Sequence, residues 1–73
     1  MIVPTTEINA QHYNLRDQVR ESVQAGDAFR LVGHLTQDKI QACEAIAQGY
    51  ESRWRKDSAG TMNLLFEPMT IIE

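Results

Sequence analysis

The side chains of this 73-residue chain that most directly suggest nucleophilic or transition-metal chemistry are its one thiol, Cys43, and its two imidazoles, His12 and His34. Nucleophilic catalysis by cysteine requires a thiolate beside a base. The patterning puts the two histidines on different predicted helices, and it puts Cys43 inside an apolar helical seam, where a thiol packs as a small hydrophobe. A structural role for Cys43 is therefore expected. The same three residues lack the short paired spacings that gather ligands around a metal ion. Gly26, Gly33, Gly49 and Gly60 are scattered singly, so no phosphate-cradling loop is present and no cofactor is expected. Asp17 and Glu21 stand one helical turn apart, a spacing at which two carboxylates can share acid and base roles. Both point away from the apolar stripe of their predicted helix, where they form a solvated face with no pocket to work in. The chain is not expected to be an enzyme.

Arg53-Trp54-Arg55-Lys56 is the sharpest local cluster. Arg53, Arg55 and Lys56 could contact phosphates while the indole stacks on a base. Against that, Trp54 continues the apolar seam, and cations also suit the C-terminal end of a helix. The formal charge of −3 and a pI near 5.2 disfavour binding of nucleic acid by bulk electrostatics. A helix-turn-helix alignment beginning at Gln41 fails, because Glu44, Gln48 and Arg55 fall where that motif buries apolar side chains.

The elements that would position these residues follow from periodicity and punctuation. Ile8, Leu15, Val19 and Val23 share one side of a helix over about 9–25, which Gly26 ends in a left-handed conformation. Ala28, Phe29, Leu31, Val32 and Leu35 predict a buried second helix over about 27–35, started by Asp27. Thr36 offers an N-cap with Asp38 in the first turn, and Ile40, Cys43, Ala47, Tyr50 and Trp54 repeat at the spacing of a helix seam. A third helix over about 37–57 is predicted, with Arg16 and Arg20 of the first helix facing Glu44 and Glu51. Residues 57–60 break the pattern, and Met62, Leu64, Phe66, Met69, Ile71 and Ile72 suggest a short C-terminal strand over about 61–72, interrupted by Pro68. A rival reading ends the third helix at Gly49 and makes Tyr50–Lys56 a hairpin strand facing residues 61–67.

The expected fold is thus α+β and helix-dominated, a single small domain over residues 1–73. A lone core of this size is thin, and one unpaired cysteine cannot staple it. Ala42, Ala45 and Gly49 would form a strip of small side chains suited to close approach by a second copy. Leu65 and Phe66 point to opposite faces of a strand, so one of them wants an external cover. A homodimer is expected. No segment has the character of a secretory signal or a membrane span, and the chain reads as cytoplasmic, without membrane partners. The leading functional expectation is a small non-enzymatic protein-binding module, a regulator or inhibitor that occupies a partner protein through Trp54, Leu65, Phe66 and Met69. The alternative is a dimeric nucleic-acid-binding regulator using Arg53, Arg55 and Lys56.

Overall fold

The computed structural model describes residues 5–69 of the chain. Ile71 and Ile72, expected within the last strand, lie outside that range. The elements run β1 (Thr6–Asn9), α1 (Leu15–Ala25), β2 (Phe29–Val32), α2 (Gln37–Ile46), β3 (Tyr50–Lys56) and β4 (Met62–Pro68). They build one mixed sheet of order β1-β2-β4-β3. β1 and β2 are parallel, while β4 pairs antiparallel with both β2 and β3. Two helices of 11 and 10 residues stand against strands of 4, 4, 7 and 7, so helix and strand are about equal. The expectation of three helices in a helix-dominated fold is overturned.

Each departure has a local cause. The helix expected over 9–25 begins only at Leu15, because Ile8 belongs to β1, where it pairs with Leu31. The Asn9 side chain accepts the Gln11 N–H at 2.8 Å, a turn that ends the strand and competes with helix. The second expected helix is β2. An apolar run of this length reads equally as buried strand or buried helix, and here its four residues lie between β1 and β4 with Phe29 and Leu31 fully buried. The third helix stops at Ile46, and Gly49 adopts φ +87, a left-handed backbone that turns the chain back as β3. A hairpin of Tyr50–Lys56 is the arrangement found, as in the rival reading, but its partner strand is residues 62–68 rather than 61–67, in the register Tyr50↔Pro68 through Lys56↔Met62.

The punctuation at helix ends matches the residues that suggested it. Gly26 ends α1 at φ 75, with its N–H donating to backbone carbonyls of Ser22 and Val23. Thr36 caps α2 by accepting the Lys39 N–H at 3.3 Å. Asp27, expected to cap a helix, instead offers its carbonyl to the Tyr50 hydroxyl at 2.9 Å. Arg20 pairs with Asp17 of its own helix at 3.0 Å rather than with an acid across a helix pair.

Ile8, Phe29, Leu31, Leu64 and Phe66 supply the sheet's share of the core, and Leu15 and Val19 of α1 with Cys43 and Ala47 supply the rest. Both helices therefore cover the same face of the sheet. Phe29 and Phe66 stack across adjacent strands with ring centroids 4.8 Å apart. β4, the expected C-terminal strand, is central and has neighbours on both sides within the chain. No helix among the described residues is long and apolar enough to cross a membrane.

Candidate functional site

The turn between β3 and β4 fixes the register of the sheet's outermost hairpin. The Asp57 carboxylate accepts the backbone N–H groups of Ala59 and Thr61, each at 2.9 Å, and the Asn63 side-chain amide at 3.3 Å. The Thr61 bond above all, helped by Asn63 and Ala59, holds the Asp57 carboxyl below the usual carboxylate range. At the other end of β3, the Tyr50 ring packs on Phe29 with centroids 5.8 Å apart, and its hydroxyl donates to the Asp27 carbonyl. Burial pushes the Tyr50 hydroxyl up from its ordinary value. Tyr50 thus ties the start of β3 to the end of α1, a contact that spacing alone did not single out.

Alternation along the strands assigns the remaining side chains to two faces. On the helix side, Trp54 stands in register with Leu64 but at the edge of the sheet, and it is 49% exposed. Its diagonal neighbour Met62 is also exposed. The seam expected to bury Trp54 therefore ends with the helix. Met69, just past β4, is exposed as well. Phe66 points into the core at 1% exposure and has no surface to offer a partner, whereas Leu65 is partly buried on the helix-free face.

That helix-free face carries the guanidinium groups of Arg30, Arg53 and Arg55. Arg30 and Arg55, together with Lys56, Asp57, Asn63 and Leu65, line an open depression of about 310 Å³. Arg30 pairs with Glu7 on the neighbouring strand, while its Nε is buried without a hydrogen-bond partner among the described residues. Arg53 lies between two carboxylates, Glu51 at 3.4 Å and Glu67 at 3.7 Å. The sequence cluster of Arg53, Arg55 and Lys56 is thereby divided: two odd-numbered arginines stand on the helix-free face, and Lys56 follows at the end of the strand. Arg30 joins them from β2, and the one available signal was a single charge inside an otherwise apolar run.

No family model, curated protein or solved structure matches the chain.

The residues weighed for nucleophilic chemistry are not brought together. Cys43 is fully enclosed in the core, and burial pushes its thiol up, against a smaller opposing pull from Arg16. His12 and His34 are exposed on loops, and His12 Nδ1 accepts the Asn14 N–H at 3.0 Å. No group of three or more His, Cys, Asp or Glu among the described residues could hold a metal ion. The expected strip of small residues is broken, because Ala42 and Ala45 stay on α2 while Gly49 has left the helix.

What distinguishes the molecule is the outer edge of β3. Seven residues pair with β4 on one side, and among the described residues no strand pairs with the other. Such an edge presents backbone donors and acceptors in strand geometry. Charged side chains are the usual means of discouraging casual pairing there, and β3 carries Glu51, Arg53, Arg55 and Lys56.

Proposed function

We propose that this chain is a small non-enzymatic binding module of the cytoplasm, a regulator or inhibitor that works by occupying a partner protein. Its working surface is the edge of β3, which receives an extended strand, with the half-exposed Trp54 as the side-chain anchor. The observation that carries this reading is a seven-residue edge strand whose outer side meets no other strand among the described residues, with a tryptophan upon it. Strand addition draws its affinity from main-chain hydrogen bonds and its selectivity from alternate side chains. Aromatic anchors dominate many such interfaces. Leu65 and Met69 extend the contact on the sheet's other face and at its end, and Phe66 is withdrawn from it because it is needed in the core.

A second reading is favoured by the clustering of Arg30, Arg55 and Lys56 around one depression. Cations gathered on an open sheet can hold phosphates of a nucleic acid. The carboxylates that already engage Arg30 and Arg53, and the net charge of −3, weigh the other way.

Capture of partners from the protein's own cells separates the two. The tagged wild type is compared with Trp54→Ala and with Arg55→Ala/Lys56→Ala, with and without nuclease and across salt. Strand addition predicts a protein partner that survives nuclease and high salt and is lost in Trp54→Ala. Recovery that disappears with nuclease or with the two cations removed would overturn it in favour of the nucleic-acid reading.

A further inference from the structure

We propose that the strand received at the edge of β3 is β3 of a second copy of this chain, laid antiparallel with Ser52 on the two-fold axis. The proposal rests on reading that edge as the working surface.

The ladder on the inner side decides which groups face outward. Met69 N–H donates to the Gly49 carbonyl at 3.0 Å and Asp57 N–H to the Thr61 carbonyl at 2.9 Å. Both pairs continue the register of β3 with β4. In an antiparallel pair, bonded and non-bonded positions alternate. The odd-numbered residues of β3 therefore direct their backbone groups to β4, and Ser52, Trp54 and Lys56 direct theirs outward. The Tyr50 N–H is already taken by the Ala47 carbonyl at 3.0 Å, which leaves the Tyr50 carbonyl as an outward acceptor.

A symmetric antiparallel pair places opposite residues on the same face, so the axis must pass through a residue. With the axis on Trp54, Arg53 would stand opposite the partner's Arg55, like charge against like. With the axis on Arg53, that guanidinium would face its own copy. With the axis on Ser52, Glu51 stands opposite the partner's Arg53 and Arg53 opposite the partner's Glu51. Tyr50 then stands opposite the partner's Trp54, and two serines meet at the centre. The run Tyr50-Glu51-Ser52-Arg53-Trp54 is complementary to its own reverse: aromatic, acid, small, base, aromatic.

The geometry favours the same register in detail. Glu51 and Arg53 occupy non-hydrogen-bonded positions, where Cα atoms approach to about 4.5 Å and side chains interact most closely. Both side chains project from the helix-free face with exposures of 60% and 47%. Ser52 and Trp54 meet the partner at hydrogen-bonded positions, with Trp54 N–H aimed at the carbonyl of the partner's Tyr50. The exposed indole gains an aromatic cover on the helix side. A strand pair this short lies at the small end of specific interfaces, which bury about 1,200–2,000 Å² when stable, so dissociation in the micromolar range is expected.

The test is sedimentation equilibrium of the full chain at about 100 µM, well above a micromolar dissociation constant, with circular dichroism to verify each variant's fold. Wild type is expected at twice the 8.3 kDa of one chain. Glu51→Arg and Arg53→Glu should each give monomer, and Glu51→Arg/Arg53→Glu should restore the dimer. With the axis on Arg53, the guanidinium introduced at position 51 of the double variant would stand against the partner's Arg55 and recovery would fail, so an unrestored double variant overturns the register. Ser52→Pro removes an outward N–H without touching the ladder to β4 and should abolish the dimer. A wild type that remains at 8.3 kDa overturns the second copy as occupant; loss of partner capture in Ser52→Pro would then leave the edge reading standing. A dimer that persists in Ser52→Pro overturns both.

Discussion

Replacing Phe66 or its neighbour Leu65 by alanine should have very unequal consequences for stability. Phe66 is 1% exposed and stacks face to face on Phe29 with an interplanar angle of 9°. Removing such a ring from a packed core costs about 3–5 kcal/mol, counting lost transfer energy and the cavity left behind. A domain of 73 residues is held by about 4–11 kcal/mol at typical values per residue. Phe66→Ala should therefore consume about a quarter or more of the stability, and it would unfold a chain at the low end of that range. Leu65 is only partly buried on the helix-free face, so Leu65→Ala should cost about 1 kcal/mol or less. Urea unfolding followed by far-ultraviolet circular dichroism measures both. With a slope of about 1 kcal/mol per molar urea, the midpoint should fall by about 3–5 M for Phe66→Ala and by no more than about 1 M for Leu65→Ala. A Phe66→Ala chain as stable as wild type would refute the placement of β4 and return Phe66 to the surface, where a partner could use it.

Gly49 adopts a positive φ in open space, so the cost of a side chain there is backbone strain alone. Gly49→Ala should lower stability by about 1–2 kcal/mol in thermal or urea melts, and an unchanged melt would argue that the helix continues through this position. Asp57 has its acidity raised by the hydrogen bonds it accepts on folding, so its folded value lies below the unfolded one. Its contribution is complete above the ordinary carboxylate value of about 3.9 and is lost as pH falls through the folded value. Wild type should thus lose more stability than Asp57→Asn as pH falls from about 5 to about 2; parallel acid limbs in the two melting profiles would contradict the turn.

Local chemistry was legible before any tertiary structure. Gly26 and Thr36 end and begin helices because a left-handed backbone and a capping hydroxyl act within a few residues of themselves. The break at residues 57–60 and the alternation of Leu64 and Phe66 likewise announced a turn and a strand. The assignment of β3 was open for a geometric reason. Tyr50 and Trp54 are four apart, which puts them on one face of a helix and equally on one face of a strand, so the seam from Ile40 to Trp54 could not register the change of element. The run from Ala28 to Val32 was ambiguous because an apolar stretch this short fits a buried helix segment as well as a strand, although β2 does alternate, with Phe29 and Leu31 buried and Arg30 and Val32 only partly so.

Pairing was the part that only the tertiary structure decided. Ile8 joins a strand because Leu31, more than twenty residues away, offers it a parallel ladder, and nothing in the residues around Ile8 encodes that neighbour. Arg30 reaches the depression beside Arg55 only because β4 separates their strands by one position in the sheet. The composition of the chain determined a thin core, a buried thiol and a basic cluster with an indole. Which side of the indole faces water depended on where the sheet ends, and that boundary is set by long-range hydrogen bonds rather than by the spacing of residues along the chain.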